Sequence, residues 1–450
     1  MAEYQALTLK QRLDEEQRKR LLMYKQHWKY YAGEHDTTLP TRAGQPDDNV
    51  RLNLTKLIID EGAAFLFGGD VAFELQEGQT TPEEEALAAI WDANRKMTFL
   101  NDLAITGGIC GQVFVKTLPE GEGEAQNVRL VNVQPEYVEV RYEPQNIDNV
   151  WLYSISWEEL AKDNKPLFRR QDIERDENGR WTVKNFVARK GNVWKPDPDN
   201  PDVVWAYDWP PIITCQNLLA PGSFYGYSDL EGLGLQDSIN YVASKIQRIL
   251  RYHMHPKTIG KNFAPGDVKI GVDDTMILPD ADSDLWNLEM QSDLAGGQAF
   301  LDRLINWFMG IARHPRVDPA IINVGALSGF ALRVLYTPLL QKTAVKKLTY
   351  GDMLVELNRR LLEMTGHGDD HIVTIHWPDP LPKDERMATE ADKFELDYQV
   401  ASLETVRTRR GLKHETEQER IQAQEIASGN VGALLIRNWE RGQQTGFEEE

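Results

Sequence analysis

The chain has 450 residues, 41% hydrophobic and 27% charged, which supplies a sizeable core and excludes a disordered protein. At about 150 residues per domain the length predicts roughly three modules. Its 70 acidic residues outnumber 50 basic ones, for a net charge of -20, and this excludes a surface that grips nucleic acid tightly, because such affinity comes from Lys and Arg displacing counterions from phosphates.

Two cysteines, Cys110 and Cys215, are too few for a disulfide framework and lack the spacing of a zinc site. Buried structural thiols in a reducing compartment are expected. The N-terminus carries Lys10, Arg12, Asp14, Glu15 and Glu16 where a secretory signal needs an apolar run. No apolar stretch approaches the roughly 20 residues of a membrane helix. A soluble protein made in a cytoplasm, with no membrane partner, is expected.

In chain order, residues 8 to 31 read as a helix with Leu21, Leu22, Tyr24 and Trp28 among charged positions, ended by Gly33. After a polar loop with Pro40, Gly44 and Pro46, a second helix spans Leu54 to Phe67, closed by Gly68 and Gly69, and a third runs from Pro82 through Trp91. From Gly108 the apolar period shifts towards two. A turn over Pro119 to Gly123 and a strand over Val128 to Val133 open a β-rich region, which continues from Tyr137 to Cys215 as short strands rich in Val, Ile, Tyr and Trp. The fold class this predicts is α+β, with an antiparallel meander.

From Asp229 to Met254 the residues Leu235, Ile239, Val242, Ile246 and Ile249 fall at alternating spacings of four and three, one stripe on a helix. Lys245, Arg248 and Arg251 lie roughly opposite. A second amphipathic helix, Gly297 to Ala312, sets Leu301, Leu304, Ile305, Phe308 and Ala312 against Asp302, Arg303 and Asn306. The two stripes are suited to packing together or against neighbouring subunits. Between them about 40 residues, with short β-like runs such as Met276 to Leu278, form a projecting module too small for its own core. A loop with Pro315 and Pro319 then leads into a long helix, Ser328 to Thr365, of roughly 57 Å at about 1.5 Å per residue, with a kink expected at Pro338. A strand from His371 to Trp377 and a helical C-terminal region follow.

The residues offer no convincing catalytic site and imply no cofactor. No Gly-x-x-x-x-Gly-Lys-Ser/Thr phosphate loop occurs, and Gly107, Gly108, Gly111, Gly232 and Gly234 miss the dinucleotide fingerprint. Asp280, Asp282 and Asp284 imitate the start of a calcium loop, but Leu285 and Gln291 occupy its glycine and glutamate positions. His371 and His376 point to opposite faces of a strand, which rules out a shared metal there. Lys245, Arg248 and Arg251 have two readings, a solvated face or a surface turned to a polyanion in a ring.

The layout resembles the portal proteins of tailed bacteriophages, in particular the long-tailed siphophage type. The landmarks are Tyr30 to His35, Asn53 to Lys56, Leu66 to Gly68, Gly226 to Glu231, Leu235 to Asn240 and Ser328 to Leu332, in that order. The resemblance implies a wing of residues 1–228 with 366–380 returning to it, stem helices at 229–254 and 297–312, a clip at 255–296, a tunnel loop at 313–327, a long kinked helix at 328–365 and a crown at 381–450. It implies a ring, usually of twelve subunits, at one capsid vertex of the virion, with double-stranded DNA passing through. Implied partners are the terminase motor, a head-completion adaptor, and capsid and scaffolding proteins. On this reading Arg313, His314 and Arg316 approach the DNA, with Lys245, Arg248 and Arg251 a second set. The acidic clip, with Asp273, Asp274, Asp280, Asp282 and Asp284, docks partners. Two other classes stay open at this stage, a nucleic-acid-processing enzyme and another capsid or scaffold protein.

Overall fold

The computed structural model describes residues 9–36, 39–41, 47–75, 81–121, 127–143, 145–161, 164–189, 193–230, 232–254, 257–262, 282, 284–288, 294–316, 329–368, 371–381, 385–410, 417–418 and 420–421. The elements in order are α1 (Leu9–Tyr31), α2 (Leu54–Phe67), β1 (Ala72–Glu74), α3 (Pro82–Ala93), α4 (Lys96–Cys110), β2 (Gln112–Glu120), β3 (Asn127–Val133), β4 (Val138–Glu143), β5 (Asn146–Leu160), β6 (Pro166–Arg175), β7 (Trp181–Ala188), β8 (Lys195–Pro196), β9 (Val203–Val204) and β10 (Ile212–Gln216). They continue as α5 (Leu233–Met254), β11 (Lys257–Lys261), β12 (Asp284–Leu288), α6 (Leu294–Ala312), α7 (Gly329–Met364), β13 (Thr374–His376), α8 (Glu385–Asp397) and α9 (Leu403–Arg409). The fold is α+β, and the meander is real: β4 to β8 form an antiparallel sheet in sequence order, with β9 also pairing β7.

The chain divides into two units, Met1–Gly325 with Leu332–Pro380, and Ala326–Ala331 with Leu381–Glu450. In the first unit the main core is built on α7, whose residues Tyr350, Met353, Leu354, Leu357, Leu361 and Leu362 are buried against Leu66 and Phe67 of α2, Trp91 of α3, Leu100 and Leu103 of α4 and Val113 and Val115 of β2. Burying each such side chain stabilises by about 1.5–3 kcal/mol. A second cluster lies between the meander and the three-stranded sheet β10-β2-β3. β13 pairs antiparallel with β1, Ala72 opposite His376. In the second unit Arg410 bonds Asp392 at 2.7 Å, joining α8 to the end of α9, and Phe394 packs on Tyr398 with ring centroids 4.4 Å apart.

Two elements differ from the sequence expectation. Helix α4 was not anticipated, because it is buried around most of its circumference and carries no one-sided stripe. Its glycines serve close approach: a Cβ at Gly107 would fall 1.9 Å from the Tyr350 hydroxyl. The long helix the sequence predicts is present as α7, which contains Pro338 and is about 54 Å long for its 36 residues. His371 lies outside strand β13 and bonds the His367 carbonyl at 2.8 Å. In the projecting module, β11 and β12 pair antiparallel from Lys257 opposite Leu288 to Lys261 opposite Asp284. Met276 to Leu278, Asp273, Asp274 and Asp280 lie outside the described residues.

Candidate functional site

Three of the sequence landmarks meet in one hydrogen-bonded junction that seats α5. The Tyr30 hydroxyl donates to Asp237 at 2.7 and 2.8 Å, and His35 shares a 2.8 Å bond with Asn240. The Thr55 hydroxyl donates to the Tyr30 carbonyl at 2.9 Å, and Asn53 caps α2 by accepting from the Lys56 amide. Asn240 accepts from the Leu52 amide while Gln236 donates to the Leu52 carbonyl. These buried hydrogen bonds fix one register of α5 on α1 and α2.

The two amphipathic stripes pack on each other. Ile239, Leu235 and Val242 of α5 join Leu301, Leu304, Ile305, Phe308, Met309 and Ala312 of α6, with Ile58 of α2. This pairing uses up one face of each helix. Phe300, Trp307 and Ile311 of α6 stay exposed, so the apolar arc of α6 is wider than α5 covers.

At the C-terminal end of α6 lies a buried ionic cluster that the sequence did not single out. Asp229 is fully enclosed and takes Lys342 at 3.0 Å on Oδ1 and Lys346 at 2.5 Å on Oδ2. Asn217 donates to Oδ1 at 3.4 Å, and the Asp229 amide donates to the Gly108 carbonyl at 2.8 Å. Lys342 also donates to the Ala312 carbonyl at 3.1 Å. Burial opposes the charge on Asp229, but Lys346 and Lys342 outweigh it and hold the carboxyl down at about 2. Burial likewise pushes Lys346 below its ordinary value. Two lysines four apart on a helix repel; the shared carboxylate explains their spacing. The cluster ties α4, the 217–229 segment, the end of α6 and α7 together.

Residues 313–316 begin where α6 ends in a Schellman cap, the His314 amide bonding the Met309 carbonyl at 2.9 Å and the Arg313 amide bonding Gly310 at 3.2 Å. Arg313 occupies the left-handed position usual for glycine, with φ of 60°. Its side chain is exposed and lines a 360 Å³ pocket with Leu219, Tyr227, Ile311, Lys342 and Val345. His314 departs from the expected DNA-facing role: its ring is buried, with Nδ1 donating to the Ala312 carbonyl at 2.9 Å and Nε2 unpartnered. Burial, reinforced by Lys342, lowers it to about 4 and keeps it neutral. Arg316 folds back on α6, bonding Asp302 at 3.0 Å and Asn306 at 3.1 Å.

The helix set is also divided. Arg248 and Arg251 both reach Asp48 at 2.9 Å, and Asp48 is 3% exposed; a buried carboxylate requires such partners, so this pair is occupied in tethering α5 to the 47–50 segment. Lys245 is exposed, 5.2 Å from the Tyr241 ring centroid. Of the acids expected to dock partners, two are among the described residues: the Asp282 carbonyl accepts from Asn262 at 3.2 Å, and Asp284 closes the ribbon opposite Lys261.

Among the described residues no helix is long and apolar enough to cross a membrane, and no three His, Cys, Asp or Glu side chains gather closely enough to hold a metal ion. Burial pushes the Cys110 and Cys215 thiols up, as inert structural thiols require. No curated protein matches the chain. The sequence profile of one family, described as phage portal protein, SPP1 Gp6-like, matches residues 10–168 and 233–430. That match takes in the junction, both amphipathic helices, the ribbon and α7, and with most of the sequence covered the chain belongs to this family of phage portal proteins.

Proposed function

We propose that this portal protein assembles as a ring, of twelve copies in the virion, at one capsid vertex, and that double-stranded DNA enters and leaves through its axial channel. The observation that carries the reading is the continuous stretch of the family match over α5, the β11–β12 ribbon, α6 and α7. In this assignment α5 and α6 are the stem, 255–296 the clip, 313–327 the tunnel loop, α7 the link to the wing, 1–228 with 366–380 the wing, and 381–450 the crown. Terminase docks on the clip during packaging and a head-completion adaptor afterwards, with Asp273, Asp274, Asp280, Asp282 and Asp284 as the docking acids. Capsid and scaffolding proteins surround the ring, which is built in the host cytoplasm.

The cations nearest the DNA are chosen by what each must give up. Arg248 and Arg251 would abandon a buried carboxylate, at roughly 3–5 kcal/mol. Arg316 would leave an exposed pair with Asp302, a contact worth about 0–1 kcal/mol, and Lys245 is exposed already. Lys245 and Arg316 are therefore assigned to the passing phosphates. Weak, exchangeable contacts on an acidic assembly permit sliding. Negative-stain electron microscopy with native mass tests the ring: closed particles with a central hole wide enough for duplex DNA are expected, and shells or persistent monomers refute it. Phage carrying Lys245→Ala with Arg316→Ala should retain packaged DNA less well, and unchanged packaging and retention would remove these two residues from the channel.

A further inference from the structure

We infer that the pocket beside Arg313 is a socket for a second copy of this chain, closed by an acidic side chain of the neighbour. The inference rests on the ring assembly proposed for this protein and names the surface that makes it. The pocket encloses 360 Å³ between the end of α6, the 218–229 segment and α7. Its apolar walls are Leu219, Tyr227 and Ile311, 54%, 55% and 46% exposed, and Lys342 and Asp229 line it as well. Large apolar side chains grouped around one concave site mark a surface that another molecule covers.

Charge identifies what covers it. The charged residues lining this pocket are Arg313, Lys342 and Asp229, two cations to one carboxylate, a local positive excess in a chain of net charge -20. Copies of so acidic a chain repel at long range, and a contact between them requires a local field of opposite sign. A neighbour's carboxylate flanked by apolar side chains satisfies both the walls and the cations. A nucleic-acid phosphate gains nothing from Leu219, Tyr227 and Ile311.

The backbone at Arg313 points the same way. A non-glycine residue in the left-handed region costs about 1–2 kcal/mol, and here the residue is an arginine with φ of 60°. Among the described residues its guanidinium has no hydrogen-bond or ion-pair partner. A strained position that keeps a long cation over a pocket is accounted for by a partner that uses the cation. The contact is head-to-tail, one surface meeting a different one on the next copy, and such contacts close into rings when the rotation divides the circle.

Native mass spectrometry and negative-stain microscopy of the full chain test this with wild type, Ile311→Glu, Arg313→Glu, Arg313→Lys and a control, Trp151→Glu, on the exposed side of β5. Wild type, control and Arg313→Lys are expected to form rings alike. Ile311→Glu and Arg313→Glu should shift the assembly midpoint to at least about tenfold higher concentration, with circular dichroism unchanged to show that both fold. If the two socket variants form rings as readily as wild type, the socket is wrong and the ring reading stands. Rings that form normally in the variants while phage lose DNA retention assign the pocket to phosphate and overturn the proposal. A wild type that never assembles overturns the ring and the socket together.

Discussion

Replacing Asp229 by Asn, a change of near-constant volume, should be among the most damaging single substitutions in this chain. Among the described residues Asp229 is the sole carboxylate bonded to Lys342 and Lys346, whose side chains are 6% and 3% exposed. Removing one partner of a buried pair costs about 3–5 kcal/mol, because the charge left behind has neither solvent nor counter-charge. At roughly 2–4 °C per kcal/mol for domains of a few hundred residues, Tm at pH 7 should fall by about 6 °C or more. The triple variant Asp229→Leu, Lys342→Met, Lys346→Met discharges the site completely and should sit close to wild type, since apolar replacement of a whole buried ion cluster is often neutral. Differential scanning calorimetry of all three proteins separates the cases. An Asp229→Asn protein within about 1 kcal/mol of wild type would refute the assignment of Asp229 as the counter-charge.

The same residue predicts acid sensitivity. Its carboxyl is held at about 2 against an ordinary 3.8, so it binds its proton less readily folded than unfolded. Its contribution is complete above about pH 4 and disappears as pH falls towards 2.

The remaining predictions use the same measurements. His314, lowered to about 4 from an ordinary 6.5, stays neutral when folded, so it costs stability as pH falls from about 6.5 to 4; His314→Asn should flatten the Tm-against-pH curve in that window, and an unchanged slope would show that another group titrates there. Arg313→Gly relieves the left-handed backbone and should raise monomer stability by about 1 kcal/mol in urea unfolding while weakening ring formation; a destabilised monomer would contradict the strain at that position. Asn358→Leu strands the Trp91 indole N–H, which now donates to Asn358 at 2.8 Å in the core, and should cost about 1–3 kcal/mol by the same unfolding measurement.

What the sequence made legible follows from where its periodicity is one-sided. α2 is legible as Leu54–Phe67 because its apolar run is closed by Gly68, and the structure adds the Asn53 cap at its start; of the two packings open to the α5 and α6 stripes, with each other or with neighbouring subunits, the fold shows the first. α4 was invisible for the opposite reason: a helix enclosed by α2, β2 and the Asp229 cluster is apolar or small on most sides and has no polar face to mark its period. The basic residues were legible as charges but not as contacts. Whether Arg248 points to solvent depends on Asp48, 200 positions away, and no local pattern contains that.

The buried cluster could have been found only in part. Asp229 lies inside the landmark Gly226 to Glu231, and Lys342 and Lys346 recur at a helical spacing that like charges normally avoid. Those two clues joined would have suggested one shared counter-charge, and the fold supplies it. The consequence is a division of labour among cations. Those with buried acids as partners, Lys342, Lys346, Arg248 and Arg251, hold α5 and α7 in place. Arg316, with an exposed acidic partner, and Lys245, with none among the described residues, would be available to a moving polyanion at small cost. Arg313, held in a strained backbone over an apolar pocket, fits neither group, and the proposed socket would put a contact between subunits at the end of α6, immediately before the segment assigned to the tunnel loop.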